Sequence, residues 1–482
     1  MGIILLLLPL LFSLFLFGIK GKTAKTIALL GSLITLGFNL FLLSIWKQNE
    51  AYDFYENYTW IHDLGINFCI GVDGLTIVML LLTNILTPII ILSSFNNTEK
   101  PYQNTFYALI LLMQFGLNGV FMSLDGILFY MFWEITLIPI WFICAIWGGE
   151  NRIKVTLKFF IYTFFGSLFM LLGLIYLYLQ TPDHSFNYDS LYAAQLDGPG
   201  MLFVYGSFFL AFAIKMPIFP FHTWQPDTYT TSPTQGTMLL SGIMLKMGIY
   251  GVMRWMMPMT PEAWAHVGHW FVILAIIGIV YASLIAIRQH NIKRLFAYSS
   301  IAHVGMIGAG LFTLQADAWQ GATIQMLAHG INIVGLFYVA DIIEKRLKTN
   351  DLKAMGGIAK VAPKLAVLFM IIMLGSVAVP LTNGFPGEFL LLKGIFSYHP
   401  IAGAIAGTSI ILCAVYMLRV YQLSMFGETN DLTKNFEDVS TLEFTVLSIL
   451  AIMVLVLGFY PNLIFDISAT SVSNILIHSI AQ

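Results

Sequence analysis

Two lysines, Lys215 and Lys246, lie inside stretches of sequence that are otherwise apolar enough to span a membrane. A charged side chain at the centre of a spanning helix costs about 2.5–3.5 kcal/mol even on lenient insertion scales, so such residues usually have a function. Glu134 and Glu388 place two carboxylates in equally apolar surroundings. These four ionisable groups indicate a path for an ion, and lysine suits protons because its protonation responds strongly to burial and to a nearby carboxylate.

The two lysines also have a structural interpretation, in which a long side chain snorkels from a buried position to the lipid headgroups. Lys246 lies near the middle of its apolar run, which argues against snorkelling. Lys215 lies nearer to the end of its run, so there the alternative carries more weight.

The buried carboxylates and two histidines leave similar alternatives open. Glu134 is the natural partner of a buried lysine, but it could form a purely structural ion pair. Glu388 could be a helix-start carboxylate that accepts from backbone N–H groups. His303 and His329 lie on adjacent apolar runs, where they could be hydrogen-bonded core residues or proton carriers that titrate near neutral pH.

Composition decides the class of protein that must position these groups. The chain has 482 residues, of which 58% are hydrophobic and only 10% are charged, whereas soluble domains carry about 25% charged residues. Apolar runs of about 20 residues favour an all-α polytopic membrane protein over a β-barrel. A net charge of −2 without a basic block gives no indication of nucleic-acid binding.

The three cysteines bear on cofactors, because Cys69, Cys144 and Cys413 are far apart and form no C-x-x-C pair. They therefore suggest neither an iron–sulfur cluster nor a zinc site. No glycine-rich nucleotide loop or soluble domain is recognisable. We expect no cofactor or metal in this chain, and any redox chemistry in its partners.

Hydropathy predicts about fourteen spans of the length that a bilayer needs. The first is the apolar N-terminus, which lacks the features of a removable signal peptide. Most of the 23 lysines and arginines fall in alternate loops, which are expected to be cytoplasmic. Both termini are then on the exterior, together with the acidic and aromatic loops at 47–72 and 180–199.

Two predicted spans, 200–222 and 364–397, are interrupted by prolines, at Pro217 and Pro220 in the first and at Pro380 and Pro386 in the second. Broken helices at corresponding places in two halves are typical of inverted-repeat transporters. We therefore predict two inverted five-helix repeats, each containing a broken helix. The expected units are helices 1–3 over 1–103, repeats over 104–256 and 257–424, and a C-terminal transmembrane helix and tail over 425–482.

Several sequence runs resemble one known family, the antiporter-like subunits of respiratory complex I and their Mrp-type antiporter relatives. The runs are AIKMPIFPFHTWQPDTYTTSPTQGTMLLSGIMLKMGIYG, IKRLFAYSSIAHVG, QMLAHGINIVGLFYVAD and NGFPGEFLLLKG. At the last of these, Glu388 resembles the M-type subunits, since the N-type and Mrp relatives generally have lysine there. The short stretch after Pro461 also differs from the long lateral helix of the L-type subunit.

The resemblance implies a proton chain along the middle of the membrane, formed by Glu134, Lys215, Lys246, His303, His329 and Glu388. In it Glu134 tunes Lys215, Lys246 passes the proton on, and Glu388 releases it to the exterior. Tyr229 stands where the family usually has histidine, so the resemblance gives no proton uptake route at the cytoplasmic side.

The resemblance also implies the surroundings of the chain. NADH, FMN, iron–sulfur clusters and quinone would belong to partner subunits of an NADH:quinone oxidoreductase in the bacterial cytoplasmic membrane. L-type and N-type subunits would be among its neighbours. The alternatives are a subunit of an Mrp-type Na⁺/H⁺ antiporter and a scaffold subunit with structural ion pairs only. Sodium prefers several hard oxygen ligands, and the few clustered carboxylates here favour protons.

Overall fold

Apolar helices dominate the structure, a computed structural model that describes residues 1–19, 23–48, 52–96 and 101–480. Among the described residues, 12 helices are long and apolar enough to cross a membrane, and Gly2–Gly18 and Pro363–Ser376 are shorter apolar helices. The predicted class of all-α polytopic membrane protein is therefore confirmed. Three lysines of the predicted basic loops, Lys20, Lys22 and Lys100, lie outside the described residues.

The elements of the N-terminal part are, in chain order, α1 Gly2–Gly18, α2 Ala24–Ile45, β1 Asp53–Ile61, β2 Ile66–Val72, α3 Gly74–Ser93, α4 Gln103–Met122, α5 Gly126–Trp147, α6 Arg152–Gln180, α7 Tyr188–Tyr192, α8 Gly198–Lys215, α9 Gln225–Thr231 and α10 Thr234–Met259. Those of the C-terminal part are α11 Pro261–Arg288, α12 Ile292–Leu311, α13 Ala316–Leu347, α14 Ile358–Val361, α15 Pro363–Ser376, α16 Gly384–Tyr398, α17 Pro400–Met425, α18 Thr441–Phe459 and α19 Asn462–Ile480.

The segment that the sequence suggested to be a loop over 47–72 contains an antiparallel hairpin of β1 and β2. Gly65 turns the chain between the strands at φ 61°, a conformation that favours glycine. The N-terminal ammonium of Met1 pairs with Glu56 of β1 at 2.6 Å, so α1 begins beside the hairpin. We call this end of the helix bundle the hairpin end.

The opposite end, which we call the basic end, carries Arg152, Lys158, Arg294 and the lysines that follow α13. Here Asp227 of α9 bridges Lys158 of α6 at 3.0 Å and Arg294 of α12 at 2.9 Å. Burial opposes ionisation of Asp227, but the two cations outweigh it and hold the pKa of the carboxyl below its ordinary value. The bridge therefore joins helices from both predicted repeats.

Both helix breaks predicted from the prolines are present. The first separates α8, which ends at Lys215, from α9, and the second separates α15 from α16. Polar groups freed by the breaks find partners, as apolar surroundings require. Trp224 Nε1 donates to the carbonyl of Ile214 at 3.0 Å, and Asn383 N donates to that of Val454 at 2.9 Å.

The two central helices are α10 and α13, which are the most completely buried of the candidate spans. Gly242 and Gly330 let them approach, since a Cβ on Gly330 would lie 2.8 Å from the carbonyl oxygen of Gly242. Helix α10 is not regular, because wider π-helical turns occupy Leu240–Met244 and Val252–Met256. Such turns occur frequently at functional sites.

The C-terminal segment differs from the prediction of one transmembrane helix and a tail, since a second helix, α19, follows α18. Although α19 is long enough to cross a membrane, its contacts are at the hairpin end. Ser471 accepts from Gly74 N at 2.8 Å, Ala469 O accepts from Gln320 Nε2 at 3.1 Å, and the His478 ring lies 5.0 Å from that of Tyr192. Since these partners lie at the starts of α3 and α13 and in α7, α19 lies across the hairpin end.

Candidate functional site

The centre of the bundle holds a direct contact between α10 and α13. Lys246 Nζ lies 2.8 Å from Nδ1 of His329 and donates to the carbonyl oxygen of Ser241 at 2.8 Å. Lys246 is fully buried, midway along α10 and directly after the first π turn. The approach of the two helices at Gly242 and Gly330 brings the lysine within reach of the histidine. Lys246 is therefore held in the core and does not snorkel.

A second contact follows on the other side of His329. His303 of α12 places Nδ1 2.8 Å from Oε1 of Glu388, and its ring centroid lies 5.9 Å from that of His329. Glu388 is near the start of α16, after the second helix break. Gln325 of α13 donates to the same carboxylate oxygen at 3.3 Å. Four of the six predicted residues thus form one linked cluster, Lys246, His329, His303 and Glu388.

A small cavity lies between the two histidines. It measures about 10 Å³, which is the room that one water molecule needs, and its lining includes Gln325, Asn332 and Ser376. His329 Nε2, Gln325 Oε1 and Asn332 Oδ1 are buried without a hydrogen-bond partner among the described residues. A water molecule placed there could bridge the gap that separates His329 from His303.

The remaining two predicted residues, Glu134 and Lys215, form no direct ion pair in the described part of the chain. Lys215 Nζ is buried without a hydrogen-bond partner and lies over the Trp133 ring, 5.2 Å from its centroid. Glu134 is half-buried on α5, and its Oε1 also has no partner. The structure places both groups in the first half of the chain and links neither to Lys246 by a hydrogen bond.

A polar cavity of about 650 Å³ opens at the basic end near the start of α10. Its lining includes Thr234, which donates to Asp341 at 2.6 Å, and Gln235, which donates to Ser93 Oγ at 3.4 Å. About two turns deeper along α10, Ser241 Oγ donates to the carbonyl of Thr237 at 2.7 Å. These polar groups lead from the cavity towards Lys246.

Two charged residues within predicted spans, Lys393 and Arg419, stand apart from the cluster, as does Tyr229. Lys393 pairs with Asp317 at 2.8 Å, and both side chains are exposed at the hairpin end. Arg419 donates to the carbonyls of Ile287 and Gln289 near the basic end. Tyr229, which replaces the histidine of the family pattern, is buried on α9.

Sequence reasoning missed a buried ion pair between Asp73 and Arg254, since it placed Arg254 near the exterior end of its apolar run and gave it no partner. The guanidinium is 2% exposed and the carboxylate 6%. Arg254 also donates to Tyr250 at 3.3 Å and to Tyr52 at 3.4 Å. Burial raises the pKa of the Tyr52 hydroxyl, although Arg254 opposes the shift. A polar residue recurs every fourth position at Lys246, Tyr250 and Arg254. This spacing predicts one polar face on the helix, so it could have indicated the site.

The described residues contain no group of three or more His, Cys, Asp or Glu side chains placed to hold a metal ion. Cys69, Cys144 and Cys413 are buried and unbonded to one another. Cys413 instead lies 3.6 Å from Nε2 of His303. The ionisable cluster offers hydrogen-bonded groups that can exchange protons.

Comparisons with known proteins agree with this geometry. Residues 123–413 match the family described as "NADH:quinone oxidoreductase/Mrp antiporter, TM". The chain is 40% identical to the NADH-quinone oxidoreductase subunit M of Rickettsia typhi over 455 residues, which are 94% of this chain and 92% of the relative.

Two solved structures are similar in fold. A chain of respiratory complex I from Thermus thermophilus has a TM-score of 0.92 at 27% identity, with 99% of this chain and 100% of that chain covered. A chain of the Mrp complex from Dietzia sp. has a TM-score of 0.88 at 18% identity, with 98% of each chain covered. The chain belongs to the NADH:quinone oxidoreductase/Mrp antiporter family of transmembrane proteins.

Proposed function

We propose that this chain is the proton-translocating M subunit of the membrane arm of a bacterial NADH:quinone oxidoreductase. The single observation that carries the proposal is the linked cluster of Lys246, His329, His303 and Glu388, buried in the middle of a multi-pass membrane protein. Burial of four ionisable groups is costly and has a clear use in passing protons. The similarity to subunit M of other organisms supplies the electron-transfer context.

In the proposed path, protons enter through the cavity at the basic end and reach Lys246 past Thr237 and Ser241. His329 accepts the proton from Lys246 across 2.8 Å, and a water molecule in the small cavity relays it to His303. His303 then passes it to Glu388 across 2.8 Å. Each transfer requires only a hydrogen bond and a small rotation of a side chain.

Glu134 and Lys215 act in this proposal as a pair that forms and breaks. Lys215 lies next to the first helix break, and its ammonium has no acceptor within reach. Movement of α8 or α9 towards Glu134 would form an ion pair in apolar surroundings, where the attraction is strong. Formation of the pair would hold the positive charge of Lys215 away from Lys246. The repulsion between the two lysines, which opposes protonation of Lys246, would then change.

The orientation follows from the positions of the basic residues. Since lysine and arginine collect on the cytoplasmic side, the basic end faces the cytoplasm and the hairpin end faces the exterior. Met1 and α19 are at the hairpin end, so both termini are exterior. In this arrangement the halves 104–256 and 257–424 are inverted repeats, flanked by 1–103 and 425–482.

The proposal assigns no cofactor to this chain. NADH, FMN, the iron–sulfur clusters and quinone belong to partner subunits, and L-type and N-type antiporter-like subunits are its neighbours in the membrane. Electron transfer in the partners then reaches this chain as a change in charge or conformation. The lipid bilayer surrounds the rest of the helix bundle.

Replacement of Lys246 by alanine tests the proposal in the assembled complex. We expect retained assembly, proton pumping lowered by at least about tenfold, and slower coupled electron transfer, since general acid–base groups typically contribute 10²–10⁴-fold. Lys393→Ala removes an exposed lysine and is the matched control. Normal pumping in Lys246→Ala would contradict the proposal, and sodium-dependent activity that survives collapse of the pH gradient would favour an Mrp-type antiporter.

A further inference from the structure

The path from Lys246 has a second polar direction that the proposed route does not use. Tyr250 and Arg254 follow Lys246 along α10 towards the hairpin end. The Tyr250 hydroxyl donates to the carbonyl of Phe121 at 2.8 Å and lies 3.3 Å from both Thr76 Oγ1 and Arg254 Nε. Polar groups therefore extend from the middle of the membrane to the buried ion pair of Arg254 and Asp73.

On the other side of that ion pair is a cavity of about 190 Å³ at the hairpin end. Its lining is mixed, and the polar side chains in it include Asp73, Arg254, Tyr52, Asp189, Ser471, Asn474 and His478. Helix α19 supplies part of that lining. The cavity and the Tyr250 hydroxyl lie on opposite sides of one guanidinium, which is 2% exposed. Arg254 lines the cavity together with Asp73 and Tyr52 and also contacts Tyr250.

We infer that the Arg254–Asp73 pair is a proton barrier, which seals Lys246 from the water at the hairpin end and so directs its proton to His329. This inference rests on the proposed function. A fixed guanidinium repels an approaching proton and does not itself release one, in the way that arginine excludes protons from selective pores. Asp73 compensates the charge, which makes its burial tolerable.

The geometry holds the guanidinium in place from several sides. Asp73 caps the start of α3, since its carboxylate accepts from Thr76 N at 2.9 Å, and it pairs with Arg254 Nη2. The Tyr188 hydroxyl donates to the carbonyl of Arg254 at 3.0 Å. A barrier residue must not swing aside during turnover, and these contacts come from two elements outside α10, the start of α3 and α7.

The test is the proton permeability of proteoliposomes that contain the whole complex. We expect Arg254→Met to let an imposed pH gradient decay at least several-fold faster without NADH, because Asp73 would remain as a proton carrier between the cavity and Tyr250. Protons pumped per NADH should fall while electron transfer continues. Arg254→Gln, which can still donate to Asp73 and Tyr250 but lacks the charge, should leak in the same way and serves if Arg254→Met does not assemble.

Two controls separate a barrier from a structural role. Asp73→Asn keeps both the helix cap and the Arg254 charge, so it should stay tight. Arg346→Met breaks a less deeply buried ion pair with Glu443 at the basic end, where N···O is 2.7 Å, and should also stay tight. Adding Lys246→Ala to Arg254→Met should suppress the leak.

Unchanged gradient decay in assembled Arg254→Met and Arg254→Gln would overturn the inference, as would an equal leak in Arg346→Met. A leak that persists with Lys246→Ala would place the barrier on a different path and would also overturn it. The permeability assay needs no turnover. Its result is therefore independent of the pumping assay with Lys246→Ala, which tests the proposed function.

Discussion

The two halves of the molecule hold their ionisable groups in opposite ways. In the second half, His303 touches Glu388 at 2.8 Å, and His329 touches Lys246 of the first half at the same distance. Within the first half, Lys215 has no hydrogen-bond acceptor and lies over Trp133, apart from Glu134. One region is therefore connected in this structure, whereas the other requires movement before its charges can meet. We interpret the connected region, from Lys246 to Glu388, as the conducting region. Glu134 and Lys215 then form the region that responds to neighbouring subunits.

The largest effect should come from breaking the connected region at its end. Glu388→Gln keeps the size of the side chain and a hydrogen bond to Gln325, but it removes the group that receives the proton from His303. We expect pumping by the assembled complex to fall at least about tenfold, within the range for loss of an acid–base group. Proton uptake by inverted membrane vesicles with NADH measures this. Pumping within twofold of the unchanged complex would show that Glu388 is only a helix-start carboxylate.

The comparison also predicts a difference in stability between the two lysines. Lys246→Met leaves His329 Nδ1 and the Ser241 carbonyl without their partner, which should cost about 1–3 kcal/mol because buried polar groups are left unsatisfied. Lys215→Met breaks no hydrogen bond and should be neutral or stabilising. Thermal unfolding of the two variants in the same detergent gives the comparison directly. Equal destabilisation by both substitutions would mean that Lys215 has a strong partner in the assembled complex.

The close approach of α10 and α13 offers a milder way to loosen the connected region. Gly330→Ala would place a Cβ 2.8 Å from the carbonyl oxygen of Gly242, so the helices must separate by a few tenths of an ångström. We expect a cost of about 1–3 kcal/mol from overpacking and a several-fold loss of pumping as Lys246 moves from His329. Gly206→Ala is the control, since nothing lies within 4 Å of its Cβ. Unchanged stability and unchanged pumping in Gly330→Ala would contradict the role of this contact.

The smallest effect concerns the bridge between the halves at Asp227. Its pKa lies below the ordinary value of 3.8, because Lys158 and Arg294 outweigh burial. The stabilisation it supplies is thus present above pH 3.8 and is lost as the pH falls through the lower, folded-state value. We expect Asp227→Asn to cost at most about 1 kcal/mol at neutral pH, since partly exposed pairs contribute little. Thermal unfolding measured over a series of pH values should show a smaller loss of stability at acid pH in the variant than in the unchanged protein. Parallel curves of stability against pH would exclude this role.

Much of the framework could be predicted because its signals are local. Prolines at 217, 220 and 380 marked both helix breaks, and lone charges in apolar runs marked the six candidate residues. The contact of Lys246 with His329 could not be predicted, since it depends on two glycines that are far apart in sequence. The hairpin of β1 and β2 was not predicted because β1 is polar and largely exposed, as a surface loop would be. Helix α19 was missed because its serines and asparagines weaken the hydropathy signal.

The separation of Glu134 from Lys215 and the pairing of Asp73 with Arg254 have a common explanation. Opposite charges in apolar sequence suggest a pair, but which charges meet is decided by helix rotation and by breaks, and hydropathy carries no information on either. Arg254 lies near the end of an apolar run, where a lysine or arginine ordinarily faces the headgroups. Its burial depends on α3 and α19, whose packing a linear sequence does not show.

The π turn over Leu240–Met244 has a consequence for how this chain tolerates change in length. The N–H of Leu245 bonds to the carbonyl of Leu240, five residues earlier, so the turn accommodates one residue more than a regular α-helical turn would. Removal of a residue within this turn would let the helix close into regular geometry while the side chains beyond it keep their direction. Removal of a residue from the regular turn just before it would instead rotate every side chain beyond by about 100° around the axis. Lys246 would then point away from His329, although no residue of the path had been altered. The proton path therefore depends on the rotation of α10 about its axis as well as on the residues that α10 carries.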